Sequence, residues 1–485
     1  MMKTCFLTKG KCKLALSLAT LMATGFCSVN ASDSLAEALK ASTMSGTIFS
    51  YYDEDATEYF PPATSTNKKR QHISGIGGEL RFLTGSFNDF RVGLTAQGLA
   101  NFAPSDAAKD YFAYDWNSQG AALSEAYLEY KRDFIDLKLG RQYYNSKYTG
   151  LVPPLVATNT DVGYKESFEG VSTRINLDSI DTIIGLADFW KFAGRSNAVT
   201  GVSTDDGAPE FKDKVIIGGF GPYAYKFDNI FNSFVTYNGL PSVSLTAAYA
   251  NVSGLEYDDA AKSTGDINFY FASAGYKTPA LVENAMVVIN AMYKGSRTNG
   301  TLKENFDFNG DFYTGMVGLI NAHGFDFVYA YSTVSKDQAA LQGIGNDCGS
   351  FTATPIYGPF LFMSFAGMEL NKFSVGYDLS NVGVKGLRVD ADYWSGEQHN
   401  GSNVRAGGLV GQAAGTSIDV EGWGTQITYK VPAVKGLKLS AIYENLDRTL
   451  HVNANADSKY ASYDSKKTTD NELWLRVSYD FDILK

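Results

Sequence analysis

The sequence predicts an all-β fold, a transmembrane antiparallel β-barrel of eighteen strands with short periplasmic turns and long extracellular loops. Three observations predict it. From Thr43 to Phe481 the chain runs in stretches of roughly ten residues that alternate apolar with polar or small side chains, as a wall between lipid and water requires. The connections between these stretches are alternately long and very short, and a leader-like segment precedes them. The last stretch is the clearest: Leu473, Leu475, Val477, Tyr479 and Phe481 share one face, while Glu472, Trp474, Arg476, Ser478 and Asp480 share the other.

Residues 1–31 read as a cleaved signal peptide. Lys9, Lys11 and Lys13 precede an apolar run from Leu14 to about Phe26, and Val29-Asn30-Ala31 supplies small residues for the cleavage site. The run is shorter than the about 20 apolar residues of a spanning helix, and none that long follows. Phe26 stands where a small residue would precede a lipidated Cys27. Residues 32–42 form a short N-terminal periplasmic segment, with Leu35 and Leu39 one helical turn apart. Residues 43–485 are then the barrel.

Strict alternation of short and long connections sets the strand count. The short ones are Thr84 to Asp89, Arg132-Asp133, Leu177 to Asp181, Asn238 to Ser242, Lys277 to Asn284, Asn321 to Gly324, Asn381 to Gly386 and Val431 to Gly436. The long ones are Asp53 to Gln71, Ala103 to Gly120, Asn145 to Ser167, Gly194 to Asn229, Gly254 to Gly265, Ser296 to Gly310, Ser335 to Asn371, Glu397 to Ile418 and Arg448 to Asn471. Together they join eighteen strands, an even number as single-chain bacterial barrels require. Val215 to Tyr225 and Pro355 to Leu370 are apolar but lie inside long loops. They read as strand extensions or hairpins above the membrane, and pairing into the barrel would make the count twenty. Tyr377 to Arg388 and Tyr429 to Lys438 echo one another, each turning through a Gly-Leu step back into the sheet.

The formal net charge is −10, and loss of Lys3, Lys9, Lys11 and Lys13 with the leader takes it to −14. No concentrated basic surface for a phosphate backbone is expected, so nucleic acid is not an expected partner. Aromatic residues make up 14% of the chain, consistent with tyrosine and tryptophan at a membrane interface. Cys5, Cys12 and Cys27 leave with the leader, so Cys348 alone remains and no disulfide framework is expected.

If apolar positions face lipid, parity turns the intervening charges toward the lumen. The basic candidates are Arg81, Arg91, Lys138, Arg174, Arg388, Lys430, Lys438 and Arg476. The acidic candidates are Glu79, Glu129, Asp378, Asp390, Asp392 and Glu444, joined by Asp480. Arginine suits such a wall because its fork of donors stays charged at any biological pH. Opposed charges across a narrow water-filled passage orient a dipolar or anionic solute; the same residues could instead pair among themselves and stiffen the barrel. Arg141 shares parity with Leu137 and Leu139 and is expected at the loop mouth. Val152, Pro153, Pro154 and Leu155, in the long connection after the fifth strand, form a stiff apolar segment able to fold inward and narrow a pore.

Glu125 to Tyr130, Leu137 to Gln142, Phe168 to Val171 and the Tyr377 to Arg388 hairpin carry a family resemblance. In these residues the chain resembles the OprD-type outer-membrane porins, including the porin branch common in Campylobacter-like bacteria. The resemblance implies an eighteen-stranded barrel, a third loop that narrows the channel, and a basic ladder passing small carboxylate-bearing solutes, without assigning the ladder residue by residue. Asp482 to Lys485 follow Phe481, whereas such barrels commonly end on an aromatic residue.

The expected function is therefore an outer-membrane porin, a water-filled channel for passive diffusion of small hydrophilic solutes with some preference for carboxylate-bearing or dipolar ones. The alternative is an outer-membrane adhesin or structural barrel without an open pore, which bulky apolar side chains at lumen positions would favour. The expected partners are outer-membrane lipid and small hydrophilic solutes, as a monomer or a homotrimer. Catalysis is not expected, because His72, His323, His399 and His451 lie far apart with no serine and acid beside them. No cofactor or metal is expected either: the acidic runs Asp53 to Asp55, Asp205-Asp206 and Asp258-Asp259 lack calcium-loop spacing. A transporter with an N-terminal plug is also not expected, since strands begin at Thr43.

Overall fold

A computed structural model describes residues 34–58, 68–113, 116–144, 155–158, 163–197, 207–216, 224–257, 263–281, 284–305, 308–335, 343–345, 367–398, 415–456 and 458–484. Its eighteen barrel strands are β1 (Thr43–Glu58), β2 (Lys68–Leu83), β3 (Phe90–Asn101), β4 (Gly120–Arg132), β5 (Ile135–Gln142), β6 (Ser167–Leu177), β7 (Thr182–Ala193), β8 (Asn229–Leu240), β9 (Val243–Glu256), β10 (Thr264–Lys277), β11 (Met286–Thr298), β12 (Asp311–Ala322), β13 (Phe325–Val334), β14 (Met368–Asp378), β15 (Leu387–Gln398), β16 (Thr416–Lys430), β17 (Leu437–Val452) and β18 (Lys466–Leu484). Each pairs antiparallel with the next, and β18 returns to β1, with Asp480 opposite Thr47 and Arg476 opposite Tyr51. Closure leaves no strand edge unpaired, the condition for a sheet in hydrocarbon. Among the described residues no helix is long and apolar enough to cross a membrane.

The outer face is apolar. Ile48, Leu128, Leu139, Val235, Val317, Phe373 and Leu475 all project from the barrel and are exposed. All eight short connections fall where the sequence places them, at one rim. Their tight geometry rests on residues that tolerate the left-handed region: Asp89, Asp133, Asp181, Asn284 and Asn321 all have positive φ. The echoed turns are built alike. Gly386 and Gly436 have φ of 80° and 92°, and their carbonyls accept hydrogen bonds from Lys430 and Asp480 of the following strands.

The strands run further than the alternation alone indicated. β1 continues to Glu58 and β2 starts at Lys68, so Asp53, Glu54 and Asp55 lie on a strand rather than in a loop, and Arg297, Arg448 and Asp470 are likewise on strands. Cross-strand pairs such as Arg70–Glu54 and Arg448–Asp470 sustain pairing where no lipid constrains it. Of the two apolar loop segments, the first contributes Lys214–Ile216 and Ala224–Lys226, which pair with each other, and Lys226 also pairs with Glu256 at the long-loop end of β9, so this three-residue hairpin extends the barrel sheet at that rim without adding a spanning strand. The count of barrel strands therefore stays at eighteen. Most of the second, 355–366, lies outside the described residues, as do Cys348, His399 and residues 1–31, which the sequence reads as a leader. The N-terminal segment carries helix α1 (Leu35–Lys40), capped by Ser34 and held at the short-turn rim by the hydrogen bond from Gly85 to the Ala38 carbonyl.

The rule that apolar positions face outward fails in the long-loop half of the barrel. Phe49 and Tyr51 on β1, Phe189 on β7, Phe269 and Phe271 on β10 and Phe312 on β12 point inward and are buried. Inward-folded loops cover them. Helix α2 (Asp106–Tyr111) leads to Trp116, which stacks on Tyr51 at 4.6 Å between centroids and meets Trp474 edge-on. After β5, Leu155, Val156 and Ala157 enter the interior, where Val156–Ala157 pairs in parallel with Ile344–Gly345 from the loop after β13. Leu155, Val156 and Ile344 are fully buried against Phe168, Phe189 and Phe269.

The seam between β1 and β18 has no slack at Gly46. A side chain there would meet the Glu79 carbonyl and the Phe481 ring, each at 2.7 Å. Gly46→Val is expected to displace Phe481 and destabilise the barrel by about 1–3 kcal/mol. The measurement is the temperature at which the compact band converts to the unfolded one on a gel, which should fall relative to wild type.

Candidate functional site

The inner wall is built from strand parity and from what the loops bring to it. On β2 to β4, Glu79, Arg81, Thr95, Gln97 and Glu125 share the inner face. Glu125 accepts from the Thr95 hydroxyl at 2.6 Å and from the Tyr143 backbone N–H at 3.1 Å, and the Arg81 guanidinium lies 3.6 Å from it. Glu79 accepts from the Lys165 ammonium at 2.7 Å and the Tyr143 hydroxyl at 3.3 Å. Gln97 exchanges two hydrogen bonds with the backbone of Lys165. The long connection after β5 is thus pinned at both ends, by Tyr143 and Lys165, to acids of the adjacent wall. Burial raises the phenol pKa of Tyr143, and that of Tyr164 to about 12, so both remain donors at any physiological pH.

Nearer the short-turn rim a second group follows. Arg91 pairs with Glu129 at 2.5 Å, and the Lys138 ammonium sits 4.5 Å from the centre of the Tyr127 ring. Arg174 stands opposite Asp136 in the register and reaches Asn176. Across the seam, Arg476 lies 4.6 Å over the Phe49 ring and Asp480 accepts from Thr47 at 2.6 Å. Lys438 and Lys430 follow on the inner faces of β17 and β16. A cavity of about 310 Å³ brings Thr47, Trp116, Lys165, Lys438, Arg476 and Asp480 around one space.

The remaining candidates lie on β14, β15 and β17. Arg388 bridges Asp326 at 2.7 Å and Asp390 at 2.6 Å. Asp392 pairs at 2.7 Å with Lys372, both side chains fully buried, with the ammonium 5.6 Å from the Trp394 ring. Glu444 is fully buried. Asp378 shares inner parity with Arg388, but its carboxylate accepts from the Ser380 N–H at 2.8 Å and caps the turn. Every basic and acidic candidate therefore falls on β14 to β18 or β2 to β6, one arc that runs through the seam. The inner faces of β8 to β12 carry mainly uncharged residues such as Asn232, Thr236, Thr246, Phe271, Met292 and Thr314, together with the buried Lys294 of β11.

Reading strand parity overlooked Lys165, Glu125, Asp326 and Lys372. Lys165 precedes a strand and has no parity to read, whereas the alternation Leu370, Lys372, Ser374 does mark Lys372 as inward. Of the constriction candidates, Leu155 is buried inside the barrel, while Val152, Pro153 and Pro154 lie outside the described residues. Arg141 stays on the outer face at the long-loop rim. No group of acids, histidines and cysteines with metal-holding geometry occurs among the described residues.

A closed barrel with an apolar exterior and a charged arc inside is the architecture of a porin-type outer-membrane barrel. Solved structures agree on the fold. OccK8 (OprE) of Pseudomonas aeruginosa superposes with a TM-score of 0.65 at 15% identity, covering 92% of this chain and 100% of that one. A BenF-like porin from Pseudomonas fluorescens Pf-5 gives 0.66 at 14%, with 92% and 100% covered, and OccAB4 of Acinetobacter baumannii gives 0.64 at 12%, with 91% and 98% covered. No protein-family model and no curated protein matches the chain.

The Lys372–Asp392 pair gives a direct test of the inner wall. Lys372→Met strands a buried carboxylate and is expected to cost about 3–5 kcal/mol, whereas Lys372→Met with Asp392→Leu should recover most of the loss. Thermal conversion of the folded band, compared across the three proteins, is the readout.

Proposed function

We propose that the protein is an outer-membrane porin of the OprD type, a water-filled channel for passive diffusion of small hydrophilic solutes with a preference for carboxylate-bearing or dipolar ones. The observation that carries this reading is the charged arc: Lys165, Lys438 and Arg476 meet Asp480 around one cavity, with Arg81 and Glu79 beside them. Fixed charges of both signs in a confined aqueous space orient a dipolar solute and sort ions by sign. Arg81 keeps 45% of its side chain exposed, so part of its charge faces solvent rather than its acid partners. Placement in the branch common in Campylobacter-like bacteria and cleavage after Ala31 belong to the same proposal; sequencing the mature N-terminus should begin at Ser32.

One observation favours the rival reading, an adhesin or structural barrel without an open pore. The long-loop half is packed with apolar side chains against Leu155, Val156 and Ile344. Conductance separates the two. Purified protein in a planar bilayer is expected to give steady current steps, and silence would favour the closed barrel. Under a salt gradient, Arg81→Ser with Lys165→Ser should lower the anion-to-cation permeability ratio by roughly twofold or more. Native against heated samples on a gel would distinguish a trimer from a monomer.

A further inference from the structure

A row of side chains crosses four neighbouring chain segments on the outer surface at the long-loop rim. Arg141 on β5 donates from Nε to Glu169 on β6 at 3.0 Å, and Lys191 on β7 approaches the other Glu169 oxygen at 3.7 Å. The Trp190 indole N–H donates to that same oxygen at 3.1 Å. Phe211, from the segment that continues the sheet beyond β7, lies with its ring 4.3 Å from the Arg141 guanidinium. A bulge in the β6–β7 pairing, where Glu169 faces Lys191 and Gly170 faces Phe189, brings both Trp190 and Lys191 to the outside.

Two features point to what meets this row. The first is height. Leu139 and Val171, two positions nearer the short-turn rim, are the last outward apolar residues of β5 and β6, and the row stands roughly 5–7 Å along the strands beyond them. The second is charge. Among the described residues, the outer-rim pairs Arg70–Glu54, Arg297–Asp311 and Lys467–Asp447 each match one base to one acid. Here two cations share one carboxylate, with Arg141 36% and Lys191 45% exposed. The surplus positive charge sits beside an indole, a combination suited to a phosphate with an acyl chain beneath it.

We propose that Arg141, Lys191 and Trp190 form a docking surface for the phosphorylated headgroup of an outer-leaflet glycolipid. The proposal rests on the outer-membrane reading above, but its test does not use conductance. Full-length protein in detergent would be titrated with diphosphoryl lipid A, with the same lipid lacking phosphates, and with inorganic phosphate, reading bound lipid by native mass spectrometry and Trp fluorescence. Diphosphoryl lipid A should bind wild type at least fivefold more tightly than Arg141→Gln with Lys191→Gln, while Arg297→Gln binds as wild type does. Lys191→Gln alone, with Glu169 still paired to Arg141, covers the case in which the double variant fails to fold, and should weaken binding by at least twofold. Equal binding of the phosphate-free lipid, unchanged binding by the variants, or displacement of bound lipid by millimolar inorganic phosphate would each overturn the proposal. Loss of lipid binding with current steps retained would leave the pore reading intact, and silent protein that still binds lipid through this row would sink only the pore reading.

Discussion

Ring closure between β1 and β18 is the constraint on which the rest of the molecule depends. A sheet in hydrocarbon cannot leave backbone donors and acceptors unpaired, and the long pairing from Met44–Leu484 to Ala56–Asn471 removes the last two edges. Closure also determines which residues share a space. Arg476 and Asp480 are brought beside Phe49 and Thr47, so the charged strips of the first and last strands become one surface.

Inside that ring the two halves of the circumference differ in chemistry. The arc from β14 through the seam to β6 holds many of its charges in pairs and small networks, as Glu79, Glu125, Glu129 and Asp390 show by accepting from a base, a hydroxyl or a backbone N–H. Such pairing keeps the charges in place, and it explains why arginine recurs there: its fork can bridge two acids, as Arg388 does between Asp326 and Asp390. The facing wall is mostly apolar, hydroxylated or amide-bearing, with Lys294 of β11 buried on it, and toward the long-loop rim it is packed by loop segments. Leu155 and Ile344 can be buried there because phenylalanines of β6, β7 and β10 turn inward to meet them.

Much of the fold was legible because lipid imposes a local code. All eight turns, the nine long connections and the count of eighteen follow from period-two alternation and from Asp, Asn and Gly at positions that need positive φ. Parity also placed Arg81, Arg91, Lys138, Arg174, Arg388 and Arg476 on the inner face, since one residue of shift would have put them in lipid. The same code does not tell Phe49, Tyr51 and Phe312 from lipid-facing residues, because an apolar side chain reads as lipid-facing unless a covering loop is known.

The order of strands, the rim at which each connection lies and the face on which many of the strand charges stand were therefore settled by the chain itself, through short-range alternation and turn chemistry. Tertiary structure alone decided which loops fold inward, that Lys165 reaches Glu79, that Lys372 is buried against Asp392 and that most of the inward charges share one arc. Those outcomes depend on contacts between segments far apart in sequence, such as Thr47 with Asp480, 433 residues away. No local pattern encodes such a meeting; it exists only once the sheet has curved round and closed.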